Sequence, residues 1–134
     1  MDDLRAALAI EVDRIADRLR GLSQARLAEP VPGHASRADA ARSTAQALAD
    51  AAARIEFERA PDRHAAPGPG NTASQLRALP TLTEFAAGDQ VAVTGHDLIA
   101  ALDGLPAGSR AERDAVMELT AHALEQLQTL RRLL

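Results

Sequence analysis

The fold of this chain is decided at residues 21–39, which join two helical segments and read GLSQARLAEPVPGHASRAD. Gly21 lies where the preceding apolar periodicity stops, and Ser23 is placed to cap a short helical turn. Pro30 and Pro32 then exclude a helix and impose an extended connection. The joint therefore predicts that one long helix ends and another begins within twenty residues.

A long amphipathic helix is predicted on each side of this joint. Before it, residues 2–22 place large apolar side chains three or four positions apart, on one helical face: Leu4, Leu8, Val12, Ile15, Leu19 and Leu22. After it, Ser36 with Asp39 three positions later resembles a capping pair, and residues 37–59 form the second helix. Its inner stripe is thin and mostly alanine: Ala41, Ala45, Leu48, Ala52 and Ile55. A stripe of such small residues predicts close packing against a neighbour.

Two further helices are predicted in the second half of the chain. Asp89 is placed to cap a third helix from about residue 90 to residue 102, which is apolar over more than half of its circumference. The β-branched run at residues 91–94 is the competing indication of a short strand, but its place in a longer helical pattern favours helix. Ser109, with Glu112 at capping-box spacing, begins a fourth helix. Its inner stripe is Val116, Leu119, Ala123, Leu127, Leu130 and Leu134.

Prolines and glycines interrupt all regular patterns between the second and third helices. They are frequent over residues 61–80, so we expect a long loop there, followed by a short helical turn at residues 82–85. Four helices with no convincing strand predict an all-α fold, a four-helix bundle that forms a single domain over residues 1–134.

Composition excludes several classes of function. The chain has no cysteine, so disulfides, thiolate metal sites and cysteine nucleophiles are ruled out. All 15 basic residues are arginine, but they alternate with 19 acidic residues rather than forming the basic face that nucleic-acid binding requires. There is no apolar run long enough for a membrane span, and the acidic start lacks the features of a signal peptide. We therefore expect a cytoplasmic protein that binds neither nucleic acid nor membrane.

The joint resembles a signature of the DinB-like helical bundles, in the branch of the mycothiol-dependent maleylpyruvate isomerases. Members of this branch typically read GLS…L…P.P.GW(S/T).RD…HLA, and residues 15–39 follow much of that pattern. A second similarity lies at residues 93–102, VTGHDLIAAL, beside the family's HxWDLARAL segment. The resemblance implies a four-helix bundle that holds a divalent metal ion with three histidines.

The same alignment places other residues at the family's ligand positions. Ser43 stands where the first ligand histidine is expected, and Thr94 stands at the second. His96 and His34 each occupy a position where the family has tryptophan. Because transition metals need converging imidazoles at such a site, the resemblance implies that the inherited metal centre is lost.

One rebuilt metal site remains as a candidate, formed by His96, Glu118 and His122. Glu118 and His122 are four residues apart on one helical face, and Glu125 extends that stripe. We expect His96 to lie on the preceding helix, antiparallel to theirs and offset by about two turns at most. The alternative is a solvated polar flank with His96 and Asp97 as an ordinary polar pair, while His34 and His64 are surface residues in loops.

We therefore predict a non-catalytic binding or interaction module, with no cofactor expected and its small-molecule ligand unspecified. The alternative is a transferase or isomerase in which His96, Glu118 and His122 hold a divalent metal and a small-thiol cofactor supplies the sulfur. The alanine-lined helices and the terminal pair of leucines, Leu133 and Leu134, are also compatible with a homodimer.

Overall fold

The computed structural model describes residues 2–59, 86–106 and 108–134, without the side chains of Glu58 and Arg59. Within these ranges the structure is all-α, as predicted, with five helices: α1 (Asp2–Gly21), α2 (Gln24–Ala28), α3 (Arg37–Arg59), α4 (Ala87–Asp103) and α5 (Arg110–Leu133). An isolated bridge pairs Val31 with His34 in the extended connection. The loop predicted over residues 61–80 and the turn at residues 82–85 lie outside the described residues.

Serine side chains cap three of the helices, as the sequence indicates. The Ser23 hydroxyl accepts a hydrogen bond from the Arg26 amide at 3.2 Å. Ser36 accepts from the Asp39 amide at 3.0 Å, and Ser109 accepts likewise at the start of α5. Because each cap satisfies an amide that has no partner within its helix, the starts of α2, α3 and α5 are fixed locally.

The predicted cap of the third long helix is wrong. α4 begins at Ala87, so Asp89 lies inside its first turn instead of preceding it, and Ala86 is the N-cap residue without a side-chain cap. The Asp89 carboxylate instead accepts from Arg20 of α1, with Nη2 to Oδ1 at 2.9 Å. The helix dipole favours a carboxylate in the first turn as well as at the N-cap. The residue type is therefore compatible with both positions, and only the contact with Arg20 shows which one Asp89 occupies.

The four long helices share one core, but their order around it does not follow the chain. α1 packs against α4 and α5, and α3 also packs against α4 and α5. The consecutive helices α4 and α5 are therefore placed diagonally, each lying between α1 and α3. The short connection between α4 and α5 predicts that they are neighbours, because such connections usually join adjacent elements, and this prediction is wrong.

Contacts at the helix ends give the directions. Arg5 near the start of α1 pairs with Asp103 at the end of α4, so these two helices are antiparallel. Near the end of α1, Arg18 donates to the Leu134 carbonyl at 2.8 Å, and Arg37 at the start of α3 donates to the Leu133 carbonyl at 2.8 Å. α5 therefore runs parallel to α1 and antiparallel to α3, which makes α3 and α4 parallel. The end of α3 and the start of α4 consequently lie at opposite ends of the core, roughly 25 Å apart for a helix the length of α4.

The core consists of the predicted stripes. All five predicted residues of α3 are buried, as are Leu8, Val12, Ile15 and Leu19 of α1. In α5 the predicted stripe is buried from Ala123 onward, at Leu127 and Leu130 among others, whereas Val116 nearer the N-terminus is half-buried. The run at residues 91–94 is helical, and its Val91 is fully buried. No helix in the described ranges has the length and apolar character that crossing a membrane would require.

Glycines allow α4 to approach α1 closely. A Cβ placed on Gly95 would lie 2.5 Å and 2.6 Å from the two γ-methyl carbons of Val12, which is far inside normal contact. A Cβ on Gly88 would lie 2.9 Å from the Ala16 carbonyl oxygen. Both glycines are buried. The short distance between α1 and α4 therefore depends on having residues without a side chain at these two positions.

Candidate functional site

A groove of about 320 Å³ lies between the first half of α3 and the second half of α5. The connection before α3 closes one part of it with His34. Its lining residues are His34, Ala40, Ser43, Thr44, His122, Glu125, Gln126, Thr129, Leu130 and Leu133. A volume near 320 Å³ is at the small end of the range for small-molecule sites, about 300–1,000 Å³.

The groove combines an apolar floor with polar walls. Ala40 and Leu130 are buried, and Leu133 is half-buried. On α5 the polar residues recur at spacings of three, one and three from His122 to Thr129, which places them along one side of the helix. On α3 the facing residues Ser43 and Thr44 are small. Because the side chains on α3 are short, they do not fill the space between α3 and the longer polar side chains of α5.

The polar walls have almost no partners of their own. His34 is the exception, since its Nδ1 lies 3.8 Å from Asp39 Oδ2. Within the described part of the chain, the other polar side chains of the groove make no hydrogen bond or ion pair: Ser43, Thr44, His122, Glu125, Gln126 and Thr129. Their donors and acceptors are thus available to solvent or to a ligand.

The structure separates the predicted metal ligands. His122 lines the groove between α3 and α5. His96 lies on α4, and its Nε2 is 3.2 Å from Asp13 Oδ1 of α1 rather than paired with Asp97. Glu118 is exposed and does not line the groove. In the described ranges no group of three His, Asp or Glu side chains is arranged to hold a metal ion, so these three residues are not brought together.

The two positions that the resemblance assigns to metal ligands have different surroundings. Ser43 is exposed and lines the groove, on the α3 side facing His122. Thr94 is only 3% exposed, and its hydroxyl donates to the Gln90 carbonyl within α4 at 2.7 Å. Ser43 is thus available to a ligand, whereas the Thr94 hydroxyl is used inside its own helix.

Sequence reasoning missed His34 as a groove residue because it was assigned to a surface loop. The extended connection folds back so that Val31 and His34 exchange backbone hydrogen bonds, and this turn presents the imidazole to α5. Gly33 permits the turn with a φ of 82°. The α5 half of the groove does have a sequence signal, since His122, Glu125 and Thr129 follow helical spacing.

An ion pair between a buried glutamate and an exposed arginine anchors α5 on the opposite side from the groove. The Glu11 side chain of α1 is 7% exposed, and its Oε1 lies 3.2 Å from Arg131 Nε. Arg131 Nη1 also donates a hydrogen bond to Glu11 Oε2 at 3.4 Å, whereas Oε1 has no aligned donor and contributes through its charge alone. With Arg18 and Arg37 on the terminal carbonyls, this pair fixes the end of α5 that carries the groove.

No protein-family model, curated protein or solved structure matches the chain.

Proposed function

We propose that this chain is a DinB-like four-helix bundle of the maleylpyruvate isomerase type that acts as a non-catalytic binding module, with the groove between α3 and α5 as its site. Three features support the architecture: four long helices around one core, parallel α3 and α4, and a long segment at residues 60–85 between them. The proposed family rests on the resemblance of residues 15–39 and 93–102 to its sequence patterns.

The observation that carries the proposal is the position of Ser43. It aligns with the family's first ligand histidine and lines the same groove as His122. A serine hydroxyl binds divalent transition metals far more weakly than an imidazole does. Replacing the histidine by serine therefore removes a strong ligand while leaving the surrounding groove open to other molecules.

Metal analysis of the purified protein tests this proposal. After dialysis against Zn²⁺ and then metal-free buffer, the wild-type protein is expected to retain well under one ion per chain. A Ser43→His variant is expected to gain retained zinc, since it places a second imidazole in the groove with His122. Arg42→His is the matched control, because it adds a histidine at the adjacent, exposed position that does not line the groove.

A stoichiometric metal in the wild-type protein would contradict the proposal. If that metal were lost on His122→Ala or His96→Ala, the metal-assisted transferase or isomerase with a small-thiol cofactor would be the better assignment. If Ser43→His retained no more zinc than Arg42→His, the placement of the ancestral site in this groove would be wrong.

A further inference from the structure

We infer that the groove between α3 and α5 binds a small organic cation, a primary amine carried on a short aliphatic chain. This inference rests on the proposed binding function and specifies the chemistry of its ligand. It is drawn from the size of the groove, the charge of its lining and the side chains there that have no partner.

The charge of the lining favours a cation. Among the described residues, Glu125 is the one carboxylate that lines the groove, and no arginine lines it. Arg37, at the nearby start of α3, is already bound to the Leu133 and Arg26 carbonyls and to Glu29. A carboxylate or phosphate entering the groove would therefore meet the like charge of Glu125 and find no free arginine among the described residues, which is unfavourable.

The polar side chains of the lining suit an ammonium group. An ammonium has three donors, and carboxylate, hydroxyl and imidazole acceptors line the groove on both helices: Glu125, Thr129 and His122 on α5, with Ser43 and Thr44 on α3. Hydrogen bonds from a charged donor are stronger than those between neutral groups. The groove thus offers an incoming ammonium several acceptors that no other residue in the described ranges occupies.

The floor of the groove explains the aliphatic part of the ligand. Ala40, Leu130 and Leu133 present methyl groups beneath the polar walls. A short methylene chain lying on them would remove apolar surface from water, at about 0.8 kcal/mol per buried CH₂ group. The volume of about 320 Å³ limits the ligand to a small molecule.

Three probes of the same length and different charge test the inference: 4-amino-1-butanol as the cation, 1,4-butanediol as the neutral molecule and 4-hydroxybutanoate as the anion. Each is titrated into isotopically labelled protein at about 0.15 M salt, while the imidazole resonances of His34 and His122 and the amides of α3 and α5 are followed by NMR. We expect the amine to shift these resonances with saturation, at a lower concentration than either of the other probes.

Two matched variants locate the charge that is responsible. Glu125→Gln keeps the size of the side chain, and it is expected to weaken amine binding by about threefold to fivefold, the effect of one partly exposed charge pair. Glu118→Gln is the same change on the same helix outside the groove. Seven residues separate the two positions, about 10 Å along the helix, which exceeds the screening length of about 8 Å at this salt concentration. Glu118→Gln should therefore leave amine binding unchanged.

Tighter binding of 4-hydroxybutanoate, or equal binding of the diol and the amine, would overturn the inferred cation while leaving a binding module in place. Shifts confined to other helices, the absence of saturation by the amine, or equal effects of the two glutamate variants would also overturn it. The proposed function has its own test in the zinc experiment, so the two failures are distinguishable.

Discussion

Gly95 of α4 offers the sharpest test of the packing, because adding one methyl group there has two opposing effects. Replacing glycine by alanine within a helix ordinarily stabilises it by about 0.5–1 kcal/mol. Here the new Cβ would lie 2.5 Å and 2.6 Å from the γ-carbons of Val12, which is fully buried. Overpacking of this kind costs about 1–3 kcal/mol. Gly95→Ala should therefore lower the free energy of unfolding by about 1–2 kcal/mol.

The reasoning is checked by urea denaturation of a double-mutant cycle with Val12→Ala. Removing the two γ-methyl groups of Val12 costs about 2 kcal/mol by itself, but it also removes the atoms that clash. In that background Gly95→Ala should become neutral or stabilising, which corresponds to a coupling energy of about 2 kcal/mol. The transition midpoint should move while the denaturant slope stays constant.

Gly21→Ala provides the control for this experiment. Gly21 ends α1, is exposed, and a Cβ there would meet no atom within 4 Å. The substitution should be neutral or stabilising by up to about 1 kcal/mol. If Gly95→Ala stabilised the protein as Gly21→Ala does, or if it cost the same with and without Val12, the close approach of α1 and α4 would be refuted.

Two further predictions concern the ends of helices, and a third concerns the turn at Gly33 before α3. A hydrogen bond from Arg5 holds the pKa of Asp103 below its ordinary value, so this carboxylate stabilises the fold above about pH 4 and the contribution is lost as pH falls through the lowered pKa. Urea midpoints of the wild type and Asp103→Asn should accordingly differ at pH 6 and converge in acid, whereas parallel pH profiles would contradict this. Arg37→Ala removes charge-assisted hydrogen bonds at 2.8 Å and 3.0 Å and should cost about 1–3 kcal/mol by thermal denaturation, against less than about 0.5 kcal/mol for the exposed Arg132→Ala. Gly33→Ala forces a side chain into a φ of 82° and should cost about 1–2 kcal/mol, with a smaller loss for Gly33→Asn; equal losses would show that φ is not the cause.

Most of the secondary structure was predictable because its causes are local. The capping serines act on amides three residues away, and the core stripe of α3 repeats every three or four residues. Asp89 is a residue whose contact has no local cause. Its position near the start of α4 was recognised, but its partner, Arg20, is 69 residues away in the chain and was not.

The candidate site was predictable only in part, and for the same reason. The polar stripe of α5 around His122 follows helical spacing, so the sequence indicates it. His34 lies in the same groove as that stripe because of the turn before α3. His96 on α4 lies against Asp13 of α1 instead. The spacing of residues along one helix does not indicate which residues of a neighbouring helix face them.

By itself the sequence determined that this chain folds into long amphipathic helices, where all of them but α4 begin, and most of the residues that they bury. These properties depend on interactions between residues within four positions of one another. Only the tertiary structure decided that α4 and α5 lie diagonally across the core, because helix neighbours are chosen by the fit of whole surfaces, such as Gly95 against Val12. That choice separates His96 from His122 and brings His122 to the groove with His34 and Ser43.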